Sequence, residues 1–325
     1  MLAAVIDHGT MRIEQRSRPS LGPNQALIHV RLAGICNTDL ELLRGYRDFS
    51  GIPGHEFVGH VVKAPDAPKL VGARVTGEIN IGCGICHTCL TEGPRHCPTR
   101  RTLGIDGWDG AFAEFIVLPI ANLHVIPDGV SDMEAIFVEP LAAALEPGQQ
   151  LHLTARDSML VLGDGKLGIL TACALRYQVP GLILAGRHAH KLAIAAAQGV
   201  EIRLASAASD LLAEHGPFDV VIEATGRPQG LNDALTLVRP EGTVVLKTTI
   251  AAETSFDMAK AVVNEITLVG SRCGNFDLAL SYLRDGLVDV MPLVEIIRPF
   301  EECVDAMAVA ARPGAMKVML QFPRG

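Results

Sequence analysis

The stretch Leu160-Val-Leu-Gly-Asp-Gly-Lys-Leu-Gly168 restricts the fold more than any other part of this chain. Three apolar residues run into Gly163-x-Gly165-x-x-Gly168, and a helical pattern follows from Ile169 to Tyr177. In a strand–turn–helix unit of this kind the first glycine allows the tight turn. The second lets a diphosphate approach the backbone, and the third lets helix and strand pack closely. The free N–H groups and the positive end of the helix dipole then offer a seat for an anion. A glycine string alone is common in loops; the strand before it and the helix after it give it weight. A Walker A phosphate loop is excluded, because Leu167 follows Lys166 where Ser or Thr is required.

From Ser158 to about Gly286 the pattern keeps alternating. Apolar strands are expected at 159–163, 182–186, 201–204, 218–223, 243–247 and 266–270, with helices such as 191–198 and 229–238 between them. Six strands with helical crossovers predict an α/β fold with a doubly wound parallel sheet. A chain of 325 residues is too long for one core, so two domains are expected. Residues 1–35 and 103–127 alternate apolar and polar and are punctuated by Gly and Pro, which reads as short antiparallel strands.

Composition narrows the function. Net charge is −8 and no Lys/Arg cluster stands out, so a nucleic-acid surface is not expected. Charges appear early between Met1 and Arg18, which argues against a secretory signal, and no apolar run reaches membrane-spanning length. The expected location is cytoplasmic.

Four of the eight cysteines crowd into Cys83-x2-Cys86-x2-Cys89-x7-Cys97. A secreted disulfide scaffold would be short and evenly stapled. This loop instead suits one tetrahedral zinc held by four thiolates, a closed and therefore structural site. His87 or His96 could replace one cysteine. An iron–sulfur cluster is the other outlet for four thiolates and ranks below zinc. Elsewhere, Gly34-Ile-Cys36-Asn-Thr38-Asp39 and Gly54-His55-Glu56 bring a thiolate, an imidazole and a carboxylate within about twenty residues, which is zinc-type ligand chemistry. A further carboxylate, Glu139, opens a helix with Pro140 in its first turn. The pair His55-Glu56…His60 imitates a metalloprotease helix, but its histidines are five apart rather than four, and Val58-Gly59 favours a strand.

With these motifs in this order, the chain resembles the zinc-dependent medium-chain dehydrogenase/reductase family, nearest its polyol and short secondary-alcohol branch. The resemblance rests on Gly34-Ile-Cys36, Gly54-His55-Glu56, the Cys83–Cys97 loop, Val138-Glu139-Pro140-Leu141 and the Gly163–Gly168 turn, and it covers nearly the whole length. It implies a mainly β, GroES-like catalytic domain at 1–146 plus 290–325, with the Rossmann domain inserted at 147–289. It also implies that Cys36, His55 and Glu139 bind a catalytic zinc, with Glu56 as an exchanging ligand. Thr38 would take the alcohol proton, and Asp39 would orient the zinc-bound histidine. Two zincs per chain follow. In the family a histidine often ends the proton relay five residues after the zinc cysteine; here Glu41 stands there, which leaves that step open. The connection at 64–69 is also short.

The cofactor is read from the end of the second strand. NAD binders place an acid there for the ribose 2′-hydroxyl. This chain has Leu184-Ala185-Gly186-Arg187-His188 instead, with no acid and with Lys191 one helical turn on. A carboxylate repels a 2′-phosphate and a guanidinium forks onto it, so NADP is expected over NAD. Leu167, Thr225 and Arg272 are further expected cofactor contacts, and Trp108 and Phe112 either line a substrate pocket or serve as plain packing.

The expected reaction transfers hydride between an alcohol or polyol and NADP, giving an aldehyde or ketone. The expected partner is a small alcohol or carbonyl compound, and a homodimer or homotetramer is carried over from the family. Two rivals stand beside this reading. One is a zinc-independent double-bond reductase of the same fold, against which the Cys36/His55/Glu139 set argues. The other is a non-enzymatic zinc-ribbon protein that uses its nucleotide fold as a sensor.

Overall fold

The strand Gln25–Gly34 is the hub of the first structural unit in this computed structural model, which describes residues 1–205, 207–249 and 254–323. Its even-numbered residues Ala26, Ile28, Val30 and Leu32 are buried, while Leu27, His29 and Arg31 are half-exposed. That period of two is what a sheet with one covered face requires. The strand pairs antiparallel with Glu56–Lys63, Phe115–Pro119 and the C-terminal strand Lys317–Gln321. These pairings lie in a seven-stranded sheet, and the unit comprises Met1–Glu139 and Val294–Gly325. Tail and head thus meet in one sheet.

The second unit is Pro140–Leu293. Its six strands run side by side in the order Glu201–Leu204, Ile183–Gly186, Met159–Leu162, Phe218–Glu223, Val238–Leu246 and Thr267–Gly270. All five pairings are parallel. This is the doubly wound order, three strands to one side of a switch point and three to the other. Met159, Leu160 and Val161 are buried in succession, because helices cover both faces of such a sheet. The fold is therefore a Rossmann unit inserted into a GroES-like, mainly β unit.

The details depart from the sequence reading in three places. The fifth strand starts at Val238, not 243; the reason is a register shift, with Phe218 opposite Val238 and Val220 opposite Thr243, which keeps the turn-like Pro240-Glu241-Gly242 inside the strand. The units divide after Glu139 and after Leu293 rather than at 146/147 and 289/290. The helix Val138–Leu145 spans the first division, so a boundary placed at the helix end falls late. The third is the tail, where the apolar pattern of residues 301–311 predicts one helix; the structure has the helix Cys303–Ala310, preceded by a 3₁₀ turn, Phe300–Glu302. Among the described residues, no helix is long and apolar enough to cross a membrane.

Candidate zinc and dinucleotide sites

The helix Asn37–Leu43 begins at the first of the candidate ligand motifs. Cys36 is its N-cap, with extended backbone, and Asp39 is its third residue. The Cys36 N–H donates to Asp39 Oδ2 at 2.8 Å, the side-chain-to-backbone bond that satisfies an orphan donor at a helix start. Asp39 is wholly buried. Its other oxygen accepts from the Gly54 N–H at 3.1 Å and lies 3.4 Å from His55 Nδ1. One carboxylate therefore braces the backbone at Cys36 and stands beside the imidazole. The His55–Asp39 approach is an ion-pair distance without hydrogen-bond alignment, and Nδ1 is otherwise unpartnered.

Cys36, His55 and Glu56 each offer one ligand atom, all within 4.8 Å of one another. Thiolate, imidazole and carboxylate at that separation fit one zinc ion. Burial opposes the His55 imidazolium, but the neighbouring Asp39 and Cys36 outweigh it and raise its pKa well above the usual imidazole value. Surroundings that hold a proton so firmly also attract a divalent cation, which competes for the same lone pair. Thr38 Oγ1 stands 3.8 Å from Cys36 Sγ and is half-exposed. Glu139 is outside the three-residue group; it lies in the first turn of Val138–Leu145, where its charge acts on Lys317. Glu41 is hydrogen-bonded by Arg44 at 2.6 Å on its own helix.

Lys317 is a residue that sequence reasoning missed. It is 2 % exposed and forms a salt bridge with Glu56, itself 1 % exposed. Burial works against the ammonium, but Glu56, Cys36 and Glu139 outweigh it and hold Lys317 above its ordinary value. A lone cation opening an otherwise apolar strand, Lys317-Val-Met-Leu, was the available signal. Gly34 makes room for the pair: a Cβ there would lie 2.3 Å from Glu56 Oε2 and 2.8 Å from Ile136 Cγ2.

The four-cysteine loop also gathers. All four sulfurs lie within 4.8 Å of one another, with Cys83–Cys89 at 4.0 Å and Cys86–Cys97 at 3.9 Å. Tetrahedral zinc with bonds near 2.3 Å needs sulfurs about 3.8 Å apart. All eight cysteines are free thiols. The Thr99 hydroxyl and the Cys83 N–H pull the Cys97 thiol down to about 6, which favours the thiolate that binds metal. His87 and His96 are outside this group. His60 sits on the strand Glu56–Lys63 and belongs to neither cluster, in keeping with the rejected protease motif. Phe112 is fully buried against Gly54, so it is packing. Trp108 instead edges a cleft of about 360 Å³ with Arg47, Asp48 and Ser50.

In the second unit the three glycines differ as their roles require. Gly163 has φ of 122°, and a Cβ there would meet the Ala224 carbonyl oxygen at 2.5 Å. A Cβ on Gly168 would lie 1.9 Å from the Gly163 oxygen, so helix and strand touch there. Gly165 is the N-cap of the helix Lys166–Leu175, and a Cβ added to it would meet nothing within 4 Å. Open space therefore lies beside a helix N-terminus, which is the cradle a diphosphate needs. The adjoining cleft, about 250 Å³, is edged by Gly163, Gly165, Gly186, Arg187, Lys191 and Thr225. Leu167 and Arg272 lie outside its lining. Lys191 is only 6 % exposed and has no side-chain partner among the described residues.

Asp164 is the other residue that sequence reasoning missed. No acid follows the second strand along the chain, but one stands at its end in space. The pairing of Leu162 with Ala185 brings the glycine turn alongside that strand end. Asp164 then accepts from the N–H groups of Arg187 and His188, both at 2.6 Å. Burial would raise its pKa, but the His188 and Arg187 donors outweigh burial and lower it.

Comparison with known proteins agrees with this arrangement. Residues 22–128 match the alcohol dehydrogenase GroES-like domain, and residues 168–286 match the zinc-binding dehydrogenase family. The chain is 30 % identical to L-threonine 3-dehydrogenase of Streptomyces avermitilis, over 94 % of each chain. A short chain alcohol dehydrogenase (rspB) from E. coli CFT073, solved with NADH, superposes with a TM-score of 0.91 at 27 % identity, over 99 % of each chain. A zinc-binding dehydrogenase from Sinorhizobium meliloti bound to NADP gives 0.88 at 28 % identity, over 98 % of each chain. By these matches, the chain belongs to the zinc-dependent medium-chain dehydrogenase/reductase family.

Proposed function

We propose that this protein is a zinc-dependent dehydrogenase that interconverts an alcohol or polyol and its carbonyl product, with NADP preferred over NAD. The observation that carries the reading is the convergence of half-buried Cys36 with buried His55 and Glu56 in a dehydrogenase fold. A zinc-independent double-bond reductase has no use for such a set.

When bound, zinc would supply a Lewis acid for the substrate oxygen and the nicotinamide would supply the hydride acceptor. The chain's own residues supply the rest. Cys36 and His55 would hold the metal, with Glu56 or Glu139 as the carboxylate ligand. Asp39 fixes the imidazole, and Lys317 fixes Glu56. Thr38 is half-exposed beside the cluster and takes the alcohol proton. The Cys83–Cys97 loop would hold a second, structural zinc through its four gathered sulfurs.

NADP preference is supported by the missing side chain at Gly186 and by Arg187 and Lys191 along the cleft. A buried lysine without a side-chain partner is costly unless a ligand anion meets it. A homodimer or homotetramer is supported by the edge strand Thr267–Gly270 and its exposed neighbours Val262, Val263 and Leu268. Light scattering tests the association.

The deciding experiment combines metal analysis with an activity screen. About two zincs per chain, with NADPH-linked reduction of ketones or aldehydes, is the expected result. One zinc, with activity only on activated double bonds, would favour the rival enzyme. Failure to bind either dinucleotide would revive the sensor reading.

A further inference from the structure

The end of the second Rossmann strand is filled from an unexpected direction. The Asp164 carboxylate leaves the glycine turn and lies over Gly186. A Cβ at 186 would stand 2.4 Å from Asp164 Cβ and 2.5 Å from its Oδ2. Oδ2 accepts the N–H groups of Arg187 and His188, each at 2.6 Å. His188 Nδ1 lies 3.0 Å from Oδ2 and 3.1 Å from Oδ1. Asp164 is 9 % exposed, yet it edges the same cleft as Arg187 and Lys191.

These contacts matter because of what each dinucleotide needs. A ribose 2′-hydroxyl needs an acceptor at this strand end. A 2′-phosphate needs donors, and the N–H groups that open the next helix, Ala189–Ala196, are the ones at hand. Here a carboxylate already occupies the two N–H groups that lead into that helix, those of Arg187 and His188. A phosphate must displace Asp164 or sit beside its charge, whereas a hydroxyl can donate to Oδ1. Arg187 and Lys191 favour the phosphate, so the cleft sets one anion against two cations.

We infer that Asp164 is a specificity-determining residue, whose carboxylate takes the place of the missing strand-end acid and weakens NADP relative to NAD. The inference rests on the cleft being the adenosine-ribose end of the dinucleotide site. Asp164 restrains the preference that Arg187 and Lys191 create.

The test is a fluorescence titration of the zinc-loaded enzyme and its Asp164→Asn variant with NADPH and with NADH, alongside kcat/KM for each. Asparagine keeps an oxygen for the N–H groups and removes the charge. The ratio of NADH to NADPH dissociation constants is expected to rise about tenfold, equivalent to 1.4 kcal/mol. Asp164→Ser, which keeps a short acceptor, reads the same ratio if the asparagine variant folds poorly. Arg187→Ala should move the ratio the other way. A ratio unchanged within about twofold, or equal weakening of both nucleotides, would make Asp164 a mere brace of the turn and overturn the inference. If the wild-type chain binds neither nucleotide, the cleft itself has been misread and the inference falls with it. If it binds either one and the ratio stays put, the inference alone fails.

Discussion

Thr38 and Lys317 illustrate two kinds of dependence at one metal site. Thr38 touches the cluster through a half-exposed hydroxyl that accepts from Cys36 Sγ over a long 3.8 Å. Thr38→Ala should therefore keep both zincs and lower kcat by about 10²–10⁴, the range for a lost proton acceptor. A variant with unchanged kcat would remove Thr38 from the reaction. Lys317 is buried and supports Glu56. Removing one partner of a buried pair leaves a charge in low dielectric, which costs about 3–5 kcal/mol. Metal-free Lys317→Met should show that loss as a lower urea midpoint; an unchanged midpoint would mean that Glu56 finds other support. Cys173 and Cys303 are the opposite case. Burial pushes both thiols up to about 12, so alkylation at pH 8 should spare them until the chain unfolds. Mass spectrometry of labelled native protein checks this, and early labelling of either would contradict it.

At the scale of elements, the glycine turn separates folding from binding. Gly165 faces open space and Gly168 faces backbone. Gly165→Ala should fold with a Tm close to wild type, yet lose at least about tenfold in dinucleotide affinity, because the methyl enters the diphosphate's space. Gly168→Ala should lose stability first, as the helix Lys166–Leu175 is pushed off its strand. Thermal melts with and without NADPH distinguish them, and equal effects in both variants would refute the division of roles. The sequence carried this turn well, because its constraints are local: apolar strand, glycines at fixed spacing, apolar helix. It carried the position of Asp164 poorly. That contact depends on which strands are neighbours, and one chain segment does not reveal its neighbour. The doubly wound order, once accepted, places residue 164 beside residue 187 and would have exposed the acid.

For the molecule as a whole, the metals form two separate tests. Chelation should strip the Cys83–Cys97 site and lower Tm, since a site closed by four thiolates contributes to folding. Readding zinc should restore Tm and activity together. Activity lost without any Tm change would show that only the Cys36–His55 site had been emptied. Spacing and residue type singled out the side chains that the structure gathers into two groups, the four cysteines and Cys36 with His55 and Glu56. They left the carboxylate open between Glu56 and Glu139, because their distances depend on a helix start and a strand start far apart in the chain. The six Rossmann strands were legible as apolar runs; the long fifth strand was not, because Pro and Gly within it imitate a turn.

The ion pair between Glu56 and Lys317 joins residues 261 positions apart. A ribosome must therefore release the chain through Lys317 before this pocket can close around its salt bridge. The dinucleotide unit, continuous from Pro140 to Leu293, needs no such wait. Synthesis order then lets the nucleotide unit fold before the pocket around Glu56 and Lys317 can form.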